Sequence, residues 1–266
     1  MEIIRIDDPA DPRVAPYLSI RERDLAGRQG LFIAEGKVVF NVLFSAARFE
    51  AESVLVLENR LPGLADTLRP APASMPVYVA AQPVMDAIAG FHIHRGILAV
   101  GRKREADDPE VLIASLPPRA LIVVLVGLSN HDNVGAIFRN AAAFGADAVL
   151  LNGTCCDPLY RKAIRVSVGT ALKVPFAFAA EADSIVALLD RTGFGQIALT
   201  PSGMTDIRET PRPDRLALYL GPEGHGLPDA LLSRLQTVRI GMAEGFDSLN
   251  VAAASAIALH HFSAGK

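Results

Sequence analysis

The sequence predicts an α/β protein built from two domains, and three observations support this. Short β-rich runs alternate with helical patterns along the chain. In the C-terminal part most of these runs are continuously apolar, which is typical of parallel strands covered on both faces. A charged segment over 101–119 ends in a Pro-Pro pair and separates two regions of different texture. We therefore predict a smaller N-terminal domain over 1–102, a linker over 103–119 with one short helix, and a larger C-terminal domain over 120–266.

The N-terminal region has the pattern of a small α/β domain. Strands are predicted for LFIAEG (31–36), SVLVLE (53–58), VYVA (77–80) and GILAVG (96–101). Helices are predicted for VVFNVLFSAA (38–47) and PVMDAIAGF (83–91).

The C-terminal region has six strand candidates with helices between them, which predicts a parallel sheet. The strand candidates are 121–128, 148–152, 174–179, 196–201, 216–221 and 237–242. Asn133 can cap the helix after the first strand, and Gly145 can end it. Asp157 before Pro158 is typical of a helix start, and Pro228 opens a further helix. Because such sheets bind ligands at the carboxyl ends of their strands, we expect the site there.

Composition narrows the class of protein. The chain of 266 residues is half hydrophobic and carries 26 basic and 29 acidic residues, a net charge of −3. This balance does not indicate nucleic acid, although a local basic patch can act under a neutral total. The two cysteines are adjacent, which favours a reduced, intracellular protein. The N-terminus lacks the features of a signal peptide, and the longest apolar run, 120–128, is too short for a membrane span. We expect a cytoplasmic protein with no membrane partner.

Two stretches carry candidate functional residues. In GPEGHGL (221–227) the glycines match neither a dinucleotide fingerprint nor a phosphate loop, so a tight turn and a ligand loop exposing Glu223 both remain open. In the helix after Asn133, Arg139 shares a face with Gly135, Ala142 and Ala143. Because burying an unpaired charge is costly, we expect Arg139 to have an external partner, either a substrate or a distant carboxylate.

The last helix and a basic segment raise further alternatives. Asp247, Ser248 and Asn250 are all good caps for VAAASAIAL, which is small or apolar on nearly every face. This predicts burial on all sides, for which a second subunit is one route. The basic residues of RKAIRVSVG (161–169) form either a solvated helix face or a phosphate-contacting patch. The six histidines lack metal-ligand spacing, so no metal is expected.

Three of these stretches together resemble the SpoU (TrmH) family of RNA 2′-O-ribose methyltransferases, of the SPOUT superfamily. The matching stretches are NVGAIFRNAAAFGAD (with Asn133 and Arg139), LYLGPEGHGL (with Gly221 and Glu223) and IGMAEGFDSLNVAAASAIAL (with Ser248, Leu249 and Asn250). RVSVG also matches, and LFIAEGKVVFNVLF and HRGILAV are similar to the family's substrate-binding domain. Two motifs depart from the usual pattern, in NHDN (130–133) and in the proline of GPEG (221–224).

The resemblance implies a SPOUT domain with a deep trefoil knot, S-adenosylmethionine as cofactor and a homodimer formed through that domain. It implies RNA as the substrate, with ribosomal RNA favoured over transfer RNA because of the separate N-terminal domain. Arg139 would act as general base or as electrostatic stabiliser of the attacking ribose hydroxyl. Asn133, Glu223, Ser248 and Asn250 would position the reactants. The cofactor would lie against Thr200, Gly221, Ile240 and Leu249, where glycines let it approach closely, and the RNA would meet Arg161, Lys162 and Arg165.

Other functions compete with this one. A Rossmann-type methyltransferase needs a glycine-rich loop after its first strand, where this chain has Gly127 alone. A non-catalytic RNA-binding relative would bind RNA without the cofactor. A nicotinamide dehydrogenase would need the dinucleotide fingerprint, which the chain lacks.

Overall fold

The structure, a computed structural model, describes residues 2–18, 30–104 and 108–263. The strands within these ranges are β1 (Ile3–Ile6), β2 (Leu31–Glu35), β3 (Phe49–Leu57), β4 (Val77–Ala80), β5 (Ile97–Lys103), β6 (Ala120–Leu125), β7 (Ala148–Asn152), β8 (Phe176–Ala179), β9 (Gly195–Leu199), β10 (Thr205–Asp206), β11 (Arg215–Leu220) and β12 (Gln236–Arg239). The helices are α1 (Lys37–Ser45), α2 (Ala65–Leu68), α3 (Gln82–Ala89), α4 (Pro109–Ala114), α5 (His131–Ala143), α6 (Arg161–Val166), α7 (Ala182–Arg191), α8 (Asp229–Leu232) and α9 (Val251–Ser263). None of the described helices is long and apolar enough to cross a membrane.

The chain forms two compact units whose boundaries differ from the predicted ones. Unit 1 comprises residues 1–106 and 157–173, and unit 2 comprises 107–156 and 174–266. The sequence placed 157–173 in the C-terminal domain, but its helix α6 packs against β2 within unit 1. The short helix predicted within the linker is α4, which belongs to unit 2 and buries Ile113 in that unit's core.

Unit 1 contains a five-stranded sheet in the order β1-β4-β3-β5-β2. The first three strands of that order are parallel, and β5 runs antiparallel to both of its neighbours. The sequence reading missed β1, because only Ile6 of its four residues is buried. The remaining strands and the two larger helices of this region follow the predicted runs.

Unit 2 contains a seven-stranded sheet in the order β10-β12-β9-β11-β6-β7-β8, in which every pairing is parallel. Strand β6, next to the central strand β11, is buried at all six positions, as its continuous apolar run predicted. The α/β fold with a parallel sheet is therefore confirmed. Since β12, β9 and β11 are neighbours, the segments that follow them come together at one edge of the sheet.

Two predicted helix starts are wrong. Asn130 caps α5, because its backbone is extended and its side chain accepts from the Asp132 N–H at 2.8 Å. Asn133 therefore lies inside the first turn, where its side chain is free for another contact. Similarly, Asp157 accepts from the Leu159 N–H in a separate turn, and the extended Tyr160 delays the start of α6 to Arg161.

Candidate active site

A pocket lies at the carboxyl ends of β9, β11 and β12. The residues predicted to contact the cofactor all line it, namely Thr200, Gly221, Ile240 and Leu249. Two of the predicted positioning residues, Glu223 and Ser248, line it as well. Leucine, isoleucine, methionine and valine side chains supply much of the wall, and no described lysine or arginine takes part.

The glycines of the 221–227 loop serve the turn itself. Gly224 and Gly226 have φ of 87° and 67°, values that side chains with a Cβ rarely adopt. A Cβ on Gly221 would lie 2.6 Å from the Leu227 backbone nitrogen, because the loop folds back on itself. At Gly221 the close neighbour is therefore the loop's own backbone, and the expectation that glycines let a cofactor approach closely stays a prediction. The tight turn and the ligand-lining loop are both present.

Asn250 joins all three sequence motifs. Its side-chain nitrogen donates to Glu223 Oε1 at 2.6 Å and to Asn133 Oδ1 at 3.1 Å. Its side-chain oxygen accepts from the N–H groups of Ala252 and Ala253 at 2.9 and 3.3 Å. Asn250 is thus the cap of α9, and it also ties the pocket loop to α5. Asn133 is only 8 % exposed, so its amide oxygen depends on this donor.

Arg139 lies outside that network and is exposed on α5. It follows Asn133 by six residues, which places it about 120° around the helix and roughly 9 Å along it. On the same helix face Gly135 is buried, Ala142 is half-buried and Ala143 is exposed. Within the described residues, Arg139 makes no ion pair or hydrogen bond. Its guanidinium is therefore available to a ligand.

The three basic residues of α6 differ in their surroundings. Arg161 pairs with Glu35, and the two side chains are only 14 % and 10 % exposed. The Arg161 guanidinium also lies over the Phe91 ring, 5.1 Å from its centroid. This geometry favours a structural ion pair inside unit 1 over an RNA contact for Arg161. Lys162 and Arg165 are exposed, and their RNA contact stays a prediction.

The comparisons with known proteins decide the family. The sequence model of the SpoU rRNA Methylase family matches residues 120–260. An uncharacterized tRNA/rRNA methyltransferase from Mycobacterium bovis is 38 % identical over 270 residues, which cover 98 % of this chain and 91 % of that protein. The chain belongs to the SpoU rRNA methylase family. The resemblance drawn from the three motifs is thereby confirmed.

Solved structures of RNA methyltransferases share the fold of this family member. An RNA 2′-O ribose methyltransferase is 28 % identical with a TM-score of 0.79, covering 98 % of this chain and 97 % of that one. An S-adenosylmethionine-bound rRNA methyltransferase from Sinorhizobium meliloti is 22 % identical with a TM-score of 0.81, at the same coverage. The second similarity concerns the fold alone.

One supporting residue of this SpoU protein escaped the sequence analysis. Asn140 donates from its side-chain nitrogen to the Ala252 carbonyl at 2.8 Å and to Ser255 Oγ at 2.9 Å. Ser255 is fully buried, so this contact fastens α5 to the start of α9. The available signal was its polarity, because Asn140 and Arg139 interrupt an otherwise small and apolar run. Across the described ranges, no cluster of His, Cys, Asp or Glu could hold a metal ion.

Proposed function

We propose that this chain transfers a methyl group from S-adenosylmethionine to the 2′-hydroxyl of an RNA ribose. The observation that carries the proposal is the Asn250 amide, which links Glu223 and Asn133 beside the pocket. Three motifs that are far apart in the sequence thereby support one cleft at the carboxyl edge of the sheet.

The chemistry of the pocket fits this cofactor better than a dinucleotide. Its apolar walls suit an adenine ring, and the Thr200 and Ser248 hydroxyls supply polar contacts. The pocket has the Glu223 carboxylate and no described cationic side chain, which favours a ligand with a positive sulfonium over one with a pyrophosphate. When bound, S-adenosylmethionine supplies a methyl group that is activated by the positive charge on its sulfur.

Arg139 is the residue we assign to the ribose hydroxyl. The hydroxyl loses its proton as it attacks, and negative charge develops on its oxygen. A guanidinium stays protonated in nearly all settings, so its natural role is to orient the hydroxyl and stabilise the developing alkoxide. General-base action would require the site to remove the Arg139 proton, and it is the alternative role. Asn250 and Glu223 hold the loop that borders the cofactor.

The proposal includes a homodimer formed through unit 2 and the trefoil knot of SPOUT domains. The packed helices α5 and α9 expose Ala143, Ala253 and Ile257, with Ile257 42 % exposed. A second copy covering these helices would bury the face that the sequence predicted to be buried on all sides. For the substrate we favour ribosomal over transfer RNA, and the cytoplasm as location.

The first experiment is a calorimetric titration with S-adenosylmethionine and, separately, with NADH. Ala254→Phe places a large side chain into the pocket and should abolish S-adenosylmethionine binding. Ala230→Phe, at an exposed alanine of α8 that does not line the pocket, is the matched control. We avoid substitutions of Gly221, which would disrupt the loop itself. Absence of S-adenosylmethionine binding, with RNA present or absent, would reject the proposal in favour of a non-catalytic RNA-binding relative. Binding of NADH instead would reject the family's activity altogether.

The second experiment separates binding from chemistry. Arg139→Ala should bind S-adenosylmethionine as the wild type does and transfer no methyl to purified ribosomal or transfer RNA. Because a 2′-O-methyl group blocks alkaline cleavage, labelled methyl should be recovered in alkali-resistant dinucleotides. Methyl transfer by Arg139→Ala at the wild-type rate would refute the role of Arg139. Label recovered in the mononucleotides that alkali releases would refute the ribose 2′-hydroxyl as acceptor.

A further inference from the structure

Among the phenylalanine and tyrosine side chains of this protein, one is exposed and all the others are buried or half-buried. The chain has 12 phenylalanines, 4 tyrosines and no tryptophan, and all of these aromatic residues lie within the described ranges. Phe246 is 71 % exposed. A single exposed apolar side chain is ordinary in itself. Phe246 differs because it lies in sequence between residues that line the candidate pocket, Met242 and Ser248.

Phe246 lies in the segment that connects β12 to α9. Both flanks of this segment contact the candidate cofactor pocket, through Met242 on one side and Ser248 and Leu249 on the other. Between them, Gly245 has φ of 82°, and the Phe246 N–H donates to the Ala243 carbonyl at 3.3 Å. This turn leaves the ring outside the pocket while its neighbours in sequence line it.

The surroundings of the ring select one kind of contact. Glu244 and Asp247 are exposed on either side of Phe246, so the segment does not attract phosphate groups. A phenyl ring can instead stack on the π-face of a base, which is how proteins commonly hold unpaired nucleotides of RNA. Carboxylates can accept hydrogen bonds from base amino groups without opposing such stacking.

We propose that Phe246 stacks on a nucleobase of the substrate RNA, next to the ribose that receives the methyl group. The inference rests on the proposed function and adds to it the class of substrate, an unpaired or flipped-out nucleotide. A base inside a duplex is stacked on both faces and has none left for the ring. Stacking is tolerant of base identity, so Phe246 fixes the nucleotide's position and leaves sequence selection to other contacts.

The absence of tryptophan makes a direct test possible. Phe246→Trp introduces the protein's sole tryptophan at the proposed stacking position. Its fluorescence should be quenched by a short single-stranded RNA of mixed sequence and by purified ribosomal RNA, each with S-adenosylmethionine present. An abasic oligonucleotide of the same length and heparin should leave it unchanged. Val111→Trp, at a position of α4 that is 68 % exposed, is the matched reporter and should respond to none of them.

A series of substitutions completes the test. Phe246→Ala should weaken RNA binding by about 5- to 100-fold, Phe246→Tyr should restore it and Phe246→Leu should not. The affinity for S-adenosylmethionine and the sedimentation mass should stay those of the wild type. Three outcomes would each overturn the inference: the abasic strand quenches the fluorescence as strongly as the intact RNA does, Phe246→Leu binds RNA as the wild type does, or Phe246→Ala is a monomer where the wild type is a dimer. The last of these would make Phe246 a subunit contact.

The two proposals can fail separately. If the wild-type protein binds no S-adenosylmethionine and methylates no RNA, the proposed function fails and this inference fails with it. If it binds the cofactor and methylates RNA while no RNA quenches Phe246→Trp, only the stacking role is wrong.

Discussion

Replacement of Asn250 tests the network at the centre of the candidate site. Asn250→Ala removes two contributions at once: the cap of α9, and the donor to Asn133 and Glu223. Asn250→Asp separates them, because the new carboxylate still accepts from the helix N–H groups but can no longer donate. It also faces the Glu223 carboxylate, whose oxygen accepts from the Asn250 nitrogen at 2.6 Å.

The expected magnitude follows from these contacts. Loss of an N-cap costs about 1 kcal/mol, and leaving the buried Asn133 oxygen without a donor costs about 1–3 kcal/mol. Asn250→Ala should therefore lower the free energy of unfolding by about 2–4 kcal/mol, which corresponds to roughly 4–16 °C in Tm for a domain of this size. For Asn250→Asp, like-charge repulsion should add to the lost hydrogen bonds, and Glu223→Gln in the same chain should restore part of the loss by supplying a donor.

Thermal unfolding followed by circular dichroism, with parallel titration of S-adenosylmethionine, measures both effects. Ser248→Ala, two positions earlier at an exposed residue of the pocket, is the control and should leave Tm unchanged. A drop below about 1 °C for Asn250→Ala would refute the energetic argument, since the cap alone is worth more. Failure of Glu223→Gln to improve Asn250→Asp would show that the two side chains do not interact in solution.

Three further changes test contacts away from the pocket. Arg161→Ala leaves the nearly buried Glu35 unpaired and should lower the free energy of unfolding by about 3–5 kcal/mol, measured by urea titration. An unchanged urea midpoint of unfolding would show that the ion pair does not stabilise the fold. Burial raises the pKa of Tyr17, so the stabilisation by its neutral hydroxyl is complete below its ordinary pKa of about 10 and is lost as the pH rises through the raised value. Tyr17→Phe should make the loss of stability at alkaline pH less steep. It should also lower the free energy of unfolding by about 1 kcal/mol near pH 8, because Ser53 loses its hydrogen-bond partner at 2.8 Å. A loss of stability at alkaline pH as steep as that of the wild type would contradict this. Arg212 buries three guanidinium nitrogens without a partner among the described residues, and this burial lowers its pKa. Because an unpaired buried charge is destabilising, Arg212→Leu should raise Tm. A lower Tm would mean that the charge is paired in solution.

The parts of the fold that the sequence predicted are those with a strong local signal. Strands β6 and β7 are continuous apolar runs that are buried throughout, so their pattern alone identified them. Strands β1 and β10 have four and two residues with few buried positions, too few for any periodicity to appear. The grouping of α6 with unit 1 was not predictable from local pattern, because its ion pair joins residues 126 positions apart.

The candidate site divides in the same way. The motifs predicted which residues would meet at the pocket, since family patterns encode position directly. They did not predict that Asn250 combines a helix cap with a bridge between two other motifs, because three candidate caps were equally good locally. They left open whether Arg139 pairs with a substrate or with a distant carboxylate, and the structure leaves Arg139 exposed, with no ion pair to any described carboxylate.

The division of the chain into units has a consequence for biogenesis. Unit 1 needs residues 157–173, so it lacks one of its helices until the ribosome has passed through the first segment of unit 2, residues 107–156. At about 5–20 residues per second, the roughly 70 residues beyond position 106 delay its completion by about 4–14 s. During this interval the apolar surface that Ala163 and Ile164 later help to cover stays open on the nascent chain. Translation speed and chaperone supply should therefore affect the yield of this protein more than that of a protein whose first domain is continuous in sequence.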